Sequence, residues 1–291
     1  TQFEDDVTKS FVNVAYHNIK SLQRHNVNFE VRPLNSIVNW GVLPSWMHQS
    51  KEYFAKSQSD MNCAIIQLMP SDILKTPYLD QAKSIGFTVT ETSLVPQWIC
   101  EAYNASLKGL LVPSEYVKNS FVESGTSIPV RSVPHALGPW WLKDIPAPIE
   151  KSRDTYVFGN VGYWNSRKNQ TLLIDCYLKA FPKGNEGVAL MLKTYRADGV
   201  EEYIQSLCGS TRDDIWVYNE SWDESQVLWA YSMMDCYVSP HRGEGFGLTL
   251  AQAAAQGLPI IYTNFSAPTE WLSSQHHFPL EFDRVNLTEK D

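Results

Sequence analysis

A glycine-rich loop with one acid in it is the part of this sequence best suited to chemistry. It reads SPHRGEGFGLTLAQAAAQGLP from Ser239 to Pro259 and places Gly243, Gly245 and Gly247 around Glu244. Glycines let the backbone approach a ligand closely, and the N–H groups at the start of the following helical run attract anions. Because Glu244 is itself negative, we expect it to accept hydrogen bonds from neutral donors such as sugar hydroxyls.

Basic and amide side chains follow three other apolar runs that read as strands. Arg167 and Lys168 end the loop after the run 156–162, Lys193 stands near the end of the run 188–194, and Asn219 follows the run 215–218. A cation at the start of a helix is locally unfavourable, so Lys168 indicates an anion nearby. Next to the glycine loop, the dipeptide 241–242 (His-Arg) is a further candidate for contact with a phosphate or an acceptor.

Strands and helices alternate strictly through the second half of the chain. Apolar positions at helical spacing predict helices at 168–181, 200–207, 223–234 and 248–256, and short apolar runs predict the strands between them. This alternation is typical of a parallel, doubly wound sheet, in which ligands bind beyond the carboxyl ends of the strands. The glycine loop and the residues that follow the other strands are therefore expected to meet in one crevice.

Strand and helix signals also alternate in the first half of the chain. Helices are predicted at 7–24, from Trp46, at 96–104 and at 114–123, and strands at 29–33, 63–68, 87–91, 109–113 and 130–134. Prolines concentrated between Pro134 and Pro148 mark residues 138–153 as a linker. The sequence thus predicts an α/β protein with two Rossmann-like doubly wound domains, residues 1–145 and 146–291, and little chain after Trp271 to complete the second sheet.

The charge balance and the cysteines argue against several classes of function. The 291 residues carry 24 basic and 32 acidic side chains, a net charge of −8 with no basic stripe, so nucleic-acid binding is not expected. No apolar run is long enough to span a membrane, and the polar first residues are unlike a signal peptide. The five cysteines lack metal-ligand spacing, so neither structural zinc nor a disulfide framework is expected, and a cytoplasmic protein with reduced thiols is predicted.

Four places along the chain resemble the retaining glycosyltransferases of family 4. Glu91–Trp98 (ETSLVPQW) is similar to an acceptor-side loop of some members, and Leu111–Ser114 with Val133–Gly138 is similar to the end of the family's first domain. Gly162–Lys168 (GYWNSRK) stands where the family has a Gly-Arg loop ending in Lys, and Glu244–Gln252 (EGFGLTLAQ) stands where it has its E-x7-E motif. The resemblance implies the GT-B fold, in which two Rossmann-like domains face a cleft.

For the domain 146–291, the resemblance implies a donor site for a nucleotide sugar. Glu244 would contact hydroxyls of the donor sugar, while Lys168 and Arg167 would neutralise the departing diphosphate, with Lys193 as a further cation. The sugar and the diphosphate would also bind backbone N–H groups of Gly245, Phe246, Gly247, Leu248 and Thr249. A fixed cation and a helix N-terminus can stabilise a leaving diphosphate without a metal, so neither a metal nor a cofactor besides the nucleotide sugar is expected.

The resemblance also implies contacts for the nucleotide and for the acceptor. Gln252, at the second acid of the motif, is the predicted contact of the nucleotide, and Asn219 joins it because it follows a strand that ends at the same crevice. The acceptor would approach from the domain 1–145, where Glu91, Trp98 and His135 are its predicted contacts.

Two positions depart from the pattern of the family. Gln252 replaces the second acid of the motif and loses a charge-assisted hydrogen bond worth about 1–2 kcal/mol. Tyr163 stands where the Gly-Arg loop has its arginine, which removes one cation from the diphosphate site.

The predicted function is transfer of a hexose from a UDP- or GDP-sugar to a hydroxyl of a glycan, lipid or protein acceptor, metal-independent and with retention at the anomeric carbon. A cytoplasmic location is predicted. Peripheral association with a membrane is common in enzymes of this kind, but this acidic sequence offers no basic amphipathic helix to support it. The alternative, indicated by Gln252 and Tyr163, is a non-catalytic glycosyltransferase-like module that binds a nucleotide or a sugar. A dinucleotide-dependent oxidoreductase is disfavoured, because GEGFG is not the G-x-G-x-x-G motif and no acid ends a second strand about 20 residues further on.

Overall fold

The protein forms two compact units in a computed structural model that describes residues 14–15, 17–27, 63–67, 69–75, 80–142, 154–184, 186–195, 197–209 and 211–284. The described residues up to Val89, with Leu94–Pro113 and Lys118–Ala136, form the first unit. The second unit contains Thr90–Ser93, Ser114–Val117 and the described residues from Leu137 onward. The assignment of residues 1–145 to an acceptor-side domain and of 146–291 to a donor-binding domain stays a prediction.

The first unit is built on a four-stranded parallel sheet. Its strands are β1 (Ala64–Gln67), β2 (Ser84–Phe87), β3 (Gly109–Val112) and β4 (Val130–Ser132), and they pair in chain order. A 3-10 helix at Pro70–Lys75 and helix α1 (Gln97–Ser106) lie between strands, and residues 17–24 are helical. Helix α2 (Glu115–Glu123) begins in the segment 114–117 of the second unit, where the hydroxyl of Ser114 accepts from the N–H of Val117 and caps it as predicted.

The second unit is built on a six-stranded parallel sheet. Its strands are β5 (Tyr156–Val161), β6 (Val188–Thr194), β7 (Ile215–Asn219), β8 (Cys236–Ser239), β9 (Ile260–Thr263) and β10 (Phe278–Leu280). Helices α3 (Gln170–Ala180), α4 (Val200–Cys208), α5 (Glu224–Met233) and α6 (Leu248–Ala255) separate the first five strands, and 3-10 helices occupy Pro139–Leu142 and Ala267–Glu270. The strand order is β10-β9-β8-β5-β6-β7. Successive strands are added on one side of β5 up to β7 and on its other side from β8 onward, so the strand order reverses between β5 and β8.

Alternation along β6 shows why this sheet is covered on both faces. Ala189 and Met191 pack with residues of α5 and α6, whereas Leu190 and Leu192 pack with residues of α3 and α4. Successive strand residues point to opposite faces, so a strand that is apolar throughout must be buried on both. The two resulting apolar clusters are the core of a doubly wound sheet, as the sequence predicted.

Three details of the predicted elements are wrong. The strand predicted at 87–91 lies at Ser84–Phe87, so Glu91 belongs to the loop after β2. Strand β10 pairs with β9 and extends the second sheet beyond Trp271, where little further structure was expected. Pro139–Leu142, the start of the predicted linker, is a 3-10 helix whose Trp141 is 1% exposed in the core of the second unit, because proline is compatible with a helical first turn.

Some predicted elements fall outside the described residues. They are the strand at 29–33, the helix from Trp46, the first part of the helix at 7–24 and the later part of the predicted linker. Among the described residues, no helix is both long enough and apolar enough to cross a membrane.

Candidate functional site

Two loops meet where the strand order of the second sheet reverses. The loop 162–169 follows β5 and the loop 240–247 follows β8, and β5 and β8 are neighbours in the sheet. The N–H of Arg242 donates to the carbonyl of Arg167 at 2.8 Å, and the amide of Asn169 donates to the carbonyl of Pro240 at 3.1 Å. A reversal point of this kind is where open α/β sheets bind ligands, so these two loops define the candidate site.

A buried carboxylate bound by two cations lies at the centre of the site. Oε1 of Glu244 is 2.5 Å from Nζ of Lys168 and 3.1 Å from Nη1 of Arg167, and Glu244 is only 6% exposed. Burial alone would raise the pKa of Glu244, but the charges of Lys168 and then Arg167 lower that pKa to about 2. The carboxylate is therefore ionised throughout the physiological pH range.

Arg167 also contacts a second carboxylate. Its Nη2 is 3.5 Å from Oε1 of Glu91, and its Nη1 donates to the carbonyl of Gly243 at 2.9 Å. Burial alone would lower the pKa of Arg167, but Glu244 and then Glu91 raise that pKa above its ordinary value. The guanidinium thus joins the loop after β5 to the glycine loop and to the segment 90–93 of the second unit.

The backbone of the glycine loop is fixed by neighbours that the sequence did not indicate. The N–H of Glu244 donates to the hydroxyl of Ser266 at 2.9 Å, and the hydroxyl of Ser114 donates to the carbonyl of Gly245 at 2.7 Å. Gly247 has φ of 85°, a left-handed conformation that suits glycine, and α6 begins at the next residue. The first N–H groups of α6 have no acceptor within the helix and form an anion-binding end of the kind predicted.

Gly243 is a glycine because of its surroundings. A Cβ at this position would lie 2.3 Å from the carbonyl oxygen of Glu91, closer than side chains ever approach. The carbonyl of Glu91 is itself held by the hydroxyl of Tyr116, which donates to it at 3.3 Å. The glycine loop and the segment 90–93 are therefore in direct backbone contact, which no sequence pattern indicates.

His241 is buried in the same loop as a neutral imidazole. It is 1% exposed, and neither ring nitrogen has a hydrogen-bond partner in the part of the chain that the structure describes. Burial lowers the pKa of His241 to about 4, with Glu244 opposing the change and Lys168 and Arg167 adding to it. This histidine belongs to the electrostatic environment of the central carboxylate and carries no charge at neutral pH.

Lys193 and Asn219 end neighbouring strands but have other partners. Nζ of Lys193 donates to the carbonyls of Thr194 and Glu220 at 2.8 and 2.7 Å and lies 5.0 Å from the centre of the Trp222 ring. Oδ1 of Asn219 accepts from the N–H of Ala197 at 2.9 Å. The structure therefore brings Arg167 and Lys168 to Glu244, whereas these contacts of Lys193 and Asn219 lie around the ends of β6 and β7.

The remaining predicted donor-side residues lie in or beside α6. The carbonyl of Phe246 accepts from the indole of Trp271 at 3.2 Å. The hydroxyl of Tyr231 is 2.9 Å from the carbonyl of Thr249 and 3.2 Å from Oε1 of Gln252. Leu248 and Thr249 form the first turn of α6, with Gln252 one turn further along, so a core tyrosine that the sequence did not indicate orients the amide that replaces the second acid of the motif.

The two other predicted acceptor-side residues lie in the first unit. Trp98 is the second residue of α1 and is 46% exposed. The ring of His135 lies 5.8 Å from the ring of Phe87, and burial lowers the pKa of His135 to about 4. Their predicted role stays a prediction.

Comparison with known proteins shows a family to which part of the chain is similar. Residues 155–281 match the sequence model of the family described as Glycosyl transferases group 1. The similarity to glycosyltransferases that the glycine loop and the loop after β5 predicted is thereby confirmed for this part of the chain, at the level of Glycosyl transferases group 1. No curated protein matches the sequence. Among the described residues, no group of three or more His, Cys, Asp or Glu side chains is placed to hold a metal ion.

Solved glycosyltransferase structures share the fold. HepE of Anabaena in complex with UDP and glucose is 15% identical, with a TM-score of 0.61 over 93% of this chain and 81% of that chain. A mutant of TarM from S. aureus is 10% identical, with a TM-score of 0.57 over 74% of this chain and 45% of that chain. For the apo structure of OtsA the identity is 10% and the TM-score 0.55, over 72% of this chain and 60% of that chain.

These similarities confirm the predicted fold class, an α/β fold with two parallel sheets that matches the GT-B glycosyltransferases. The chain spans less than two thirds of the length of the OtsA and TarM chains that it matches.

Proposed function

We propose that this protein moves a hexose from a UDP- or GDP-sugar to an acceptor hydroxyl, with retention at the anomeric carbon and without a metal. The observation that carries the proposal is the buried carboxylate of Glu244, bound by two cations beside the start of α6 at the reversal point of the sheet. The match of residues 155–281 to Glycosyl transferases group 1 supports it. HepE has been solved with UDP-glucose, which supports a nucleotide sugar as the donor class.

The leaving diphosphate needs positive charge where the bond to the sugar breaks. In the proposed reaction, the bond between the anomeric carbon and the β-phosphate oxygen breaks while the acceptor oxygen bonds to the same face of that carbon. The proton of the acceptor hydroxyl passes to the departing phosphate oxygen. Lys168, Arg167 and the N–H groups at the start of α6 supply fixed positive charge, which stabilises the charge that builds on the phosphate.

Glu244 binds the sugar in this proposal. Both cations contact Oε1 of Glu244, which is 6% exposed. Its charge is already balanced by cations, so a further donor need bring no charge, and a sugar hydroxyl is such a donor. Glu244 would thus fix the hexose next to the diphosphate, so that the anomeric carbon faces the acceptor.

The first test is thermal unfolding of the protein with UDP, GDP, ADP and their glucose and mannose conjugates, without added metal. A ligand at 100 times its dissociation constant stabilises the folded protein by about 2.7 kcal/mol. We expect stabilisation by one nucleotide and its sugar conjugate, and its loss in Lys168→Met. Lys179→Met is the matched control, because Lys179 is exposed in the last turn of α3. Equal stabilisation of both variants would contradict the proposed site.

Turnover is tested separately from binding. We expect release of the nucleoside diphosphate and formation of a glycoside whose anomeric configuration by NMR is that of the donor. Glu244→Gln should abolish both, because the amide offers the sugar hydroxyls one oxygen and no negative charge, and because it leaves the two cations unbalanced. Full turnover in that variant would refute the role of Glu244, and inversion at the anomeric carbon would refute retention.

A non-catalytic module is the second candidate. It is favoured by Gln252, whose carbonyl oxygen is within 3.2 Å of the Tyr231 hydroxyl and which carries no charge for the nucleotide. This candidate predicts binding of the nucleotide sugar without turnover on any acceptor. If the parent protein binds the donor without turnover and Gln252→Glu gives turnover, the glutamine at position 252 is the cause of the missing activity.

A further inference from the structure

Three separate contacts hold Glu91 beside the candidate site. Its carboxylate is 3.5 Å from Nη2 of Arg167. Its carbonyl oxygen accepts from the hydroxyl of Tyr116 and lies 2.3 Å from where a Cβ on Gly243 would stand. The segment 90–93 belongs to the second unit, so these contacts are internal to the unit that contains the donor-site candidates. The backbone contacts fix the position of Glu91 independently of its ion pair.

The charges around Arg167 are balanced one for one. Lys168 and Arg167 supply two positive charges, and Glu244 and Glu91 supply two negative ones. Glu244 is 6% exposed and shared by both cations, whereas the side chain of Glu91 is 34% exposed and pairs with Nη2 of Arg167. The more exposed carboxylate is the one that a phosphate group can displace from the guanidinium at lower cost.

We propose that Glu91 is a positioning residue of the donor site, the counter-ion that holds Arg167 in place and competes with the diphosphate for it. The proposal rests on the proposed function of the same site, and it gives Glu91 a different role from the acceptor contact that the sequence resemblance implies. An acceptor contact would act on the acceptor alone. A counter-ion of Arg167 acts on the diphosphate and does so only while Arg167 is present.

Replacing Glu91 by glutamine should raise the affinity for a nucleoside diphosphate. In Glu91→Gln the amide oxygen can still accept from Arg167, so the position of the guanidinium is kept while one negative charge near the diphosphate is removed. A diphosphate that binds Arg167 in this variant no longer has to displace a carboxylate, so the affinity for a nucleoside diphosphate should rise by up to about fivefold, the equivalent of one partly exposed ion pair. The dependence of binding on salt should also become steeper, because the net charge of the site increases.

The test is a double-mutant cycle, with UDP, GDP and ADP titrated by calorimetry in the absence of any acceptor. The variants are Glu91→Gln, Arg167→Gln and the double variant, with Glu123→Gln as the matched control because Glu123 is exposed at the end of α2. We expect tighter binding in Glu91→Gln, no change in the control, and no effect of Glu91→Gln once Arg167 is replaced. Unchanged affinity in Glu91→Gln, or an effect that persists without Arg167, would overturn the proposal.

A second measurement separates this proposal from the proposed function. The Nε–Hε NMR signal of Arg167, assigned by its loss in Arg167→Gln, should shift in Glu91→Gln and stay in place in Glu123→Gln without any ligand. If the parent protein binds no nucleotide, the proposed function fails, and the proposed competition between Glu91 and the diphosphate fails with it. The NMR signal of Arg167 still reports whether its ion pair with Glu91 forms. A nucleotide that binds equally to the parent and to Glu91→Gln, with a change only in the KM for an acceptor, would assign Glu91 to the acceptor.

Discussion

Replacing Glu244 by glutamine should make the second unit less stable, even though it removes a buried charge. Glutamine has nearly the shape of the protonated acid, so the substitution approximates permanent protonation. Two cations would then face each other with no carboxylate between them, since Lys168 and Arg167 both contact Oε1 of Glu244. Removal of one partner from a buried ion cluster is costly because the remaining charges are left uncompensated.

The magnitude follows from the pKa of the carboxyl. The pKa of Glu244 falls from 4.5 to about 2 in the folded protein, where burial opposes the change and Lys168 and Arg167 cause it. One pKa unit corresponds to 1.36 kcal/mol, so ionised Glu244 contributes about 3 kcal/mol to the free energy of unfolding at pH 7. In the parent protein this contribution is fully present above pH 4.5 and is lost as the pH falls through about 2.

The assay is urea unfolding of the parent and Glu244→Gln between pH 7 and pH 3, followed by hydrogen exchange of the α6 amides. We expect the two proteins to differ by about 3 kcal/mol at pH 7 and to converge as the pH falls, because the parent protonates its own carboxylate. In a Lys168→Met background the cost of Glu244→Gln should shrink by at least about 1 kcal/mol. Equal stability of the parent and Glu244→Gln at pH 7, or an equal loss in Glu123→Gln, would refute the reasoning.

Three further outcomes are expected. His241→Asn should make the free energy of unfolding fall less between pH 6.5 and about 4. In the parent, the neutral buried imidazole stabilises the folded protein above pH 6.5, and this contribution is lost as the pH falls through the lowered pKa of about 4. Gly243→Ala should destabilise the protein by about 1–3 kcal/mol, because the new methyl group would lie 2.3 Å from the Glu91 carbonyl oxygen. Lys193→Met should lower the free energy of unfolding by about 1.5–3 kcal/mol, because two backbone carbonyls lose a charged donor, and should leave the affinity for nucleoside diphosphates unchanged.

Each of these outcomes has its own check. The pH dependence is measured by urea unfolding, and an unaltered slope in His241→Asn would show that another group titrates. For the glycine, Gly162→Ala is the control, because a Cβ there would have only ordinary contacts at 3.6 Å. Equal stability of the two alanine variants would contradict the close approach of the segment 90–93. Calorimetry on Lys193→Met decides whether that ammonium binds phosphate, and a tenfold loss of affinity would place it in the donor site.

The alternation of strands and helices in the second unit could be predicted because it depends on short-range patterns. The strand at Val188–Thr194 was predicted within its observed bounds, and the helix from Glu224 has the cap at Asp223 that its sequence indicates. Strand β10 was missed because Phe278–Leu280 is exposed at the sheet edge and carries no buried apolar pattern. The start of the linker was misjudged because proline is compatible both with a linker and with the 3-10 helix that buries Trp141.

The chemistry of the glycine loop was also readable from the sequence. Gly243, Glu244 and the start of α6 lie within a few residues of one another, so their proximity needs no tertiary information. Lys168 was predicted near them only through the rule that parallel strands end at one edge. The same rule placed Lys193 with them, but its ammonium is bound by the carbonyls of Thr194 and Glu220, a choice that depends on the local path of the chain.

The sequence by itself determined a βα protein with a glycine loop, an acid in that loop and cations after neighbouring strands. Only the tertiary structure decided that β8 pairs with β5, because strand order depends on long-range packing and leaves no mark on any one segment. That pairing brings Glu244 to Lys168 and Arg167. Only the tertiary structure placed Glu91 against Gly243, because a contact across such a distance in sequence is set by how whole elements pack and not by local preference.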